Sequence, residues 1–249
     1  DQAAPSVQIC VESEPLSRHQ IVPSTGDGTL LVGCGRTHEG HEVQVVDPDT
    51  LKPLPEGRVG ELWCRGPSVA VGYWDKPELS TATFAAHTAE GEGPFMRTGD
   101  LGFWQDGQLY ITGRLKDLII VRGQNHYPDD IEATVQGSDP TFRLQGAAAF
   151  TVTEGDESLL VVIAEVDRHR FAALSADERD ALVAKARKQV SDVHGLRLHD
   201  LVFIKPATLA KTSSGKIRRS HCRELYQSGT LDYAAPAPQA TVGETELAA

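Results

Sequence analysis

Apolar positions in this chain change their period about halfway along. From Leu30 to Thr112 they fall in short alternating or continuous runs broken by turn residues, the pattern of half-buried strands. Leu30–Val32, Glu42–Val46, Gly60–Arg65, Phe95–Thr98 and Leu109–Thr112 are the predicted strands. Pro48-Asp49 and Pro55-Glu56-Gly57 separate some of them as turns. Val7–Val11 is a further strand candidate, Lys76–Phe84 a short helix, and Ala85–Gly93 a mobile loop. The sharpest local signal is Asp106-Gly107, set between Trp104-Gln105 and Gln108–Thr112. That pair accepts the positive φ angles of a type I′ turn and predicts a β-hairpin. Strands at this spacing suit a distorted barrel or a small sheet.

After Lys116 the chain mixes both periods. Leu118–Val121 reads as a strand and Gly123-Gln124-Asn125 as a tight loop. Pro128 suits a first helical position, with Asp129 and Asp130 in the first turn, where negative charge meets the positive end of the helix dipole. Ala147–Val152 and Leu159–Val166 predict paired strands. Ser175 and Glu178 form a capping box for a helix ending near Gly195, with Leu182, Ala186, Val190 and Val193 as its apolar stripe. Leu201–Ile204 is another strand and Ile217–Gln227 a last helix. The fold class is α+β, and the Ala/Pro/Thr/Glu-rich stretch from Ala234 onward reads as linker.

Composition narrows the picture. A formal net charge of −11 over 249 residues argues against a general nucleic-acid binder, and no apolar run reaches the length of a membrane span. Lys205–Arg223 is locally basic, with three lysines, three arginines and a histidine and no acid. That segment suits a phosphate-bearing ligand, an acidic partner protein or a solvated helix face. The four cysteines lie far apart without C-x-x-C spacing, and the nine histidines show no zinc pairing, so no metal site is expected. The thiols and the lack of a visible signal peptide suit a reducing cytoplasm.

The hairpin carries Asp100 at one end and Arg114 at the other, and antiparallel pairing would bring them together. Such a pair suits either a hydroxyl-bearing ligand or a plain surface ion pair. The surrounding motifs add to that choice. R-T-G-D (97–100), G-R-L-K-D (113–117), R-G-Q-N-H-Y-P-D-D-I-E (122–132) and P-A-T-L-A-K-T-S-S-G-K-I-R-R (206–219) occur in that order. Together they resemble the adenylate-forming (ANL) superfamily: acyl-CoA synthetases, adenylation domains of peptide synthetases, and luciferases. The wording, N-H-Y-P-D-D-I-E above all, is most similar to the fatty acyl-AMP ligases.

The resemblance implies a domain plan. Residues 1–113 would close a large adenylation domain with a barrel-like or small-sheet subdomain, and 114–117 would be a hinge. Residues 118–230 would form a mobile α+β lid, and 231–249 a linker. It also implies site residues. Lys216, on the Ser213-Ser214-Gly215 loop, would contact the substrate carboxylate and the phosphoester oxygen during adenylation. A P-loop reading fails, because Ala210 stands where a glycine is needed and Ile217 where Ser or Thr is needed. Asp100 would accept hydrogen bonds from the ribose hydroxyls, with Arg114 on the ribose or phosphate side. Lys116 and Asp117 would lie at the hinge, and Gly123, Asn125, His126 and Tyr127 on a lid loop facing the site in a second pose. His126 is expected to be structural rather than a general base.

The implied activity joins a fatty acid to ATP as acyl-AMP and passes the acyl group to the phosphopantetheine thiol of an acyl carrier protein, one that the Ala/Pro tail could join downstream. The resemblance implies ATP and Mg2+ as cofactors. The glycine- and threonine-rich phosphate loop, the adenine-binding stretch that places Mg2+, and the acyl tunnel of such enzymes are not found in these residues. The chain, which starts at Asp1 rather than Met, is therefore expected to be a C-terminal portion that does not adenylate alone. The competing readings are an acyl-CoA synthetase and a non-catalytic carrier-docking module.

Overall fold

The computed structural model describes residues 6–26, 28–155, 157–167, 170 and 174–232. Two compact units divide at Tyr127/Pro128. Among the described residues no helix is long and apolar enough to cross a membrane.

The first unit is built from small antiparallel sheets. Strand β1 (Gln8–Val11) pairs with β2 (Thr29–Val32), and the short helix α1 (Ser13–Leu16) lies between them in sequence. Strands β3 (Glu42–Val46), β4 (Gly60–Arg65), β5 (Met96–Gln105) and β6 (Gln108–Arg114) form an open four-stranded sheet in sequence order. Small sheets, not a closed barrel, are what the alternating runs produce. Helix α2 (Pro77–Phe84) precedes β5, with Pro77 at its start. The Ala85–Gly93 stretch, expected to be mobile, is tied down. Ala86 bridges Phe95, and the Ala89 N–H donates to the Leu51 carbonyl.

The Asp106-Gly107 turn closes β5 on β6 with φ of +51° and +69°, the positive pair a type I′ hairpin demands. The predicted strand at Phe95–Thr98 is the start of a longer one, because β5 runs on to Gln105. Along it Leu101 and Phe103 turn inward with Val11, Leu16, Val59, Tyr110 and Tyr127 to form the core. Phe103 and Tyr110 stack with centroids 5.0 Å apart. Each such fully buried large side chain contributes about 2–3 kcal/mol from burial. Gly102 is required here: a Cβ at this position would lie 2.3 Å from the Tyr110 carbonyl oxygen.

A 3-10 turn (Leu115–Asp117) leads to a second hairpin, β7 (Ile119–Val121) and β8 (Gln124–His126). Its turn is made by Arg122 and Gly123, both at positive φ. The tight loop expected at 123–125 therefore sits one residue earlier. The Asn125 backbone and side-chain N–H groups both donate to the Ser17 carbonyl at 3.0 Å. That contact groups the hairpin with the first unit, whereas the sequence suggested a boundary at 117/118.

The second unit places a three-stranded sheet, β11-β10-β9, against helices. Helix α3 (Pro128–Ser138) begins at Pro128 as expected. Strands β9 (Phe142–Glu154) and β10 (Glu157–Val166) pair antiparallel, and β11 (Leu198–Ile204) runs parallel to β10. Between them helix α4 (Ala176–His194) makes the crossover that parallel pairing needs. The central β10 is buried from Leu160 to Val166, and its near-continuous apolar run follows from that position.

The capping box on α4 is complete: Ser175 Oγ accepts from the Glu178 N–H, and the Glu178 carboxylate accepts from the Ser175 N–H. Gly195 ends the helix in the left-handed conformation. Leu182, Ala186 and Val190 are buried, but Val193 is 65% exposed, so the stripe stops one turn short of the helix end. The last helix, α5 (Arg219–Gln227), starts later than Ile217, because Ile217 bridges Lys211 in extended backbone. Leu231, expected in the linker, belongs to the buried cluster of Phe150, Ile163, Val202 and Cys222. The linker expected beyond it lies almost wholly outside the described residues.

Candidate functional site

On the first unit the predicted acid and arginine meet. Asp100 on β5 and Arg114 on β6 are register partners, and Arg114 Nε donates to Asp100 Oδ1 at 2.7 Å. Both are partly exposed, at 32% for the Asp100 side chain and 53% for Arg114. A partly exposed carboxylate, held among the described residues by one Arg114 N–H, keeps acceptor capacity for hydroxyl donors.

The backbone presenting Asp100 is unusual for a strand. Between Glu61↔Leu101 and Trp63↔Arg97 the β4–β5 register shifts, so Thr98, Gly99 and Asp100 bulge against Leu62 alone. Gly99 takes φ of +72°, a conformation that favours glycine. Thr98 Oγ1 donates to the Leu62 carbonyl at 2.7 Å and accepts the Asp100 N–H at 3.0 Å. Behind the bulge Glu61 is 2% exposed, with Arg97 and the Trp63 indole N–H on its carboxylate.

On the second unit Lys216 is exposed at the end of a closed loop. The Thr212 N–H donates to the Lys216 carbonyl at 2.8 Å, and the Lys216 N–H donates to Thr212 Oγ1 at 3.1 Å. Gly215 makes the turn at φ of +83°. Among the described residues no hydrogen bond or ion pair engages the Lys216 ammonium.

Two buried carboxylates anchor the loop's roots. Before it, the Leu209 N–H donates to Glu165 Oε1 at 2.9 Å, while Arg143 Nη1 lies 3.0 Å from Glu165 Oε2. After it, Arg219 holds Glu132 through Nε–Oε1 at 2.7 Å and Nη2–Oε2 at 2.8 Å, and also reaches Asp129. The Ala149 N–H adds a further bond to Glu132 at 2.9 Å. Burial pushes the Glu132 carboxyl up, and Arg219 opposes the shift. The loop is thus fixed at its base while its lysine stands free to reach an anion.

The other predicted residues lie on the turn and hairpin that follow β6. Lys116 and Asp117 form the 3-10 turn after β6. Gly123 and Asn125 belong to the β7–β8 hairpin, as does His126, whose imidazole is lowered by burial. Among the described residues its buried Nε2 has no hydrogen-bond partner. Tyr127 is a core residue, 6% exposed, close enough to Gly113 that a Cβ there would meet its ring at 3.0 Å. Glu61, Glu165 and Glu132 had no role in the sequence reading. The available signal was an acid inside a run of otherwise buried strand or helix residues. Among the described residues no group of three or more His, Cys, Asp or Glu could hold a metal ion.

Comparison with known proteins gives this geometry its context. Residues 11–74 match the AMP-binding enzyme family, and residues 116–235 match the Disco-interacting protein 2-like AMP domain. Both models are of AMP-binding domains, and they match different stretches of the chain. The chain is similar to the medium-chain-fatty-acid–acyl-carrier-protein ligase JamA of Moorena producens. The two are 47% identical over 88% of this chain and 36% of the relative. It is also similar to the long-chain-fatty-acid–AMP ligase FadD26 of Mycobacterium marinum, at 42% identity over 86% of this chain and 38% of that protein. The chain thus spans rather more than a third of these ligases. A solved structure from a study of the fatty acyl-adenylate ligases of E. coli and L. pneumophila gives a TM-score of 0.75. Its identity is 28%, over 92% of this chain and 39% of that one. The McyG A-PCP structure with phenylalanyl-adenylate gives 0.67 at 28% identity, over 80% and 29%.

Proposed function

We propose that this chain supplies the ribose-binding acid and the mobile lysine of a fatty acyl-AMP ligase. The fatty-acid carboxylate oxygen attacks the α-phosphorus of ATP; the bond to the β-phosphate bridging oxygen breaks, giving acyl-AMP and pyrophosphate. A phosphopantetheine thiol of an acyl carrier protein then attacks the acyl carbonyl, loses its proton and releases AMP. The first step brings negative groups together, so its barrier falls with neutralisation and orientation. Lys216 is the cation for that step and Asp100 the acceptor for both ribose hydroxyls. Arg114 holds the Asp100 carboxylate in place. Mg2+ would accompany ATP as counter-ion to the triphosphate, and none of the residues named above is assigned to hold it.

Lys116 and Asp117 are proposed as the hinge between two poses; the segment after it, with Gly123, Asn125, His126 and Tyr127, would release the Ser17 and core contacts seen here when it moves. Backbone torsions in the short turn would absorb such a rotation. The reducing cytoplasm is the compartment that four free thiols support.

The observation that carries the carrier-protein acceptor is the 47% identity to JamA, whose name specifies that acceptor. A second reading, CoA as acceptor, is favoured by the 44% identity to fadD25 of Mycobacterium tuberculosis, whose name includes fatty-acid–CoA ligase. One assay separates them. The full-length protein is given ATP, a medium-chain fatty acid, and equal amounts of a holo-carrier protein and CoA. Acyl-carrier without acyl-CoA is expected. Acyl-CoA alone would move the assignment to the second reading. Carrier binding without turnover would replace both with a docking role.

A further inference from the structure

Glu61 is a charged residue in a place where stability alone would favour a hydrophobe. It lies in β4 with a side chain 3% exposed, flanked by the buried Gly60, Leu62 and Trp63. Taking a carboxylate out of water is costly unless its lone pairs are used, and here they are. Oε2 accepts from Trp63 Nε1 at 2.9 Å, Arg97 Nε at 2.9 Å and Arg97 Nη2 at 2.6 Å. Oε1 accepts from the Gly99 N–H at 3.2 Å. The Arg97 guanidinium also lies 5.3 Å from the Trp63 ring centroid.

The consequence lies one residue further along. Where Thr98, Gly99 and Asp100 bulge against Leu62, the backbone donors cannot all enter the ladder and need other acceptors. Glu61 takes the Gly99 donor and Thr98 Oγ1 the Asp100 donor. Glu61 also fixes Arg97, the residue at which the bulge leaves the sheet. The bulge is therefore shaped from below by one buried carboxylate, and its outer end is Asp100, which Arg114 restrains from the neighbouring strand.

We propose that Glu61 is a positioning residue that sets the Asp100 carboxylate for the two ribose hydroxyls. This rests on the reading of Asp100 given above and extends it to a residue with no nucleotide contact of its own. A merely structural Glu61 would weaken all nucleotides alike, whereas a positioning Glu61 controls the preference for nucleotides that carry the hydroxyls.

The test is the ratio of dissociation constants for 2′,3′-dideoxy-ATP and ATP, measured on the full-length protein. Wild type should prefer ATP by at least about tenfold, as hydrogen bonds to a charged acceptor require. Asp100→Asn should bring the ratio close to one. Glu61→Gln should do the same while leaving the dideoxy affinity within about twofold of wild type. A folded Glu61→Gln protein with the wild-type ratio overturns the proposal, as does equal weakening of both nucleotides. Should Glu61→Gln fail to fold, Arg97→Lys, which keeps the charge but loses the two-pronged contact, must show the reduced ratio; an unchanged ratio there overturns the proposal too. A wild-type ratio near one would instead remove the role assigned to Asp100 itself.

Discussion

Asp100 and Arg114 face each other in register across the β5–β6 hairpin, joined by an N–H···O bond of 2.7 Å. An ion pair this exposed contributes only about 0–1 kcal/mol to folding. Under the proposed role its use is orientation. Arg114→Ala should therefore leave thermal denaturation nearly unchanged while weakening ATP binding by about tenfold. Titration calorimetry beside a melting curve checks this; equal loss in both would make the pair structural.

The second unit should respond to helix α4 in a graded way. Ser175→Ala removes half the capping box and should cost about 1 kcal/mol. Leu182→Ala opens the core and should cost about 2–5 kcal/mol. Val193→Ala, at a 65% exposed position, should change stability by less than about 0.5 kcal/mol. Urea denaturation of the three variants orders them directly.

Those residues also show what the sequence makes legible. Asp106-Gly107 and Ser175–Glu178 act over four residues or fewer, so local chemistry decides them and the structure agrees. Val193 keeps the helical period yet is exposed, because what covers a helix face is a tertiary fact that no periodicity carries. The late start of α5 comes from the local pairing of Ile217 with Lys211, which the apolar pattern does not show. For the site, the motifs marked Asp100, Arg114 and Lys216. The Glu61 network escaped because Glu61 and Arg97 are 36 residues apart, and an acid in a strand run looks no different when it is solvated.

Asp130 provides a pH handle. Burial first, and the nearby Asp129 carboxylate second, push its carboxyl up to about 6 from an ordinary 3.8. A raised carboxyl stabilises the fold when protonated. That contribution is full below about pH 4 and is lost as pH rises through about 6. Glu132 shifts the same way but keeps Arg219 as its counter-charge. Asp130→Asn should therefore stabilise the second unit at pH 8 by about 2 kcal/mol and flatten its stability between about pH 4 and 6. Hydrogen exchange of the Val161–Ala164 amides reports it; an unchanged slope would contradict the assignment.

The four free cysteines differ in reach. Cys34 is exposed, while Cys222 is wholly buried with its thiol pushed up to about 11. Burial also raises Cys64. Reactivity follows the exposed thiolate, so mass-resolved labelling of the native protein should modify Cys34 first and Cys222 only on unfolding. Native labelling of Cys222 would show that the cluster around it opens.

Fatty-acid-dependent ATP–pyrophosphate exchange tests the account most directly, in the full-length protein and its Lys216→Ala variant. The account predicts exchange by the wild type and a fall of at least about 100-fold on losing the ammonium that neutralises the reacting anions. A folded Lys216→Ala protein that exchanges at the wild-type rate would contradict it.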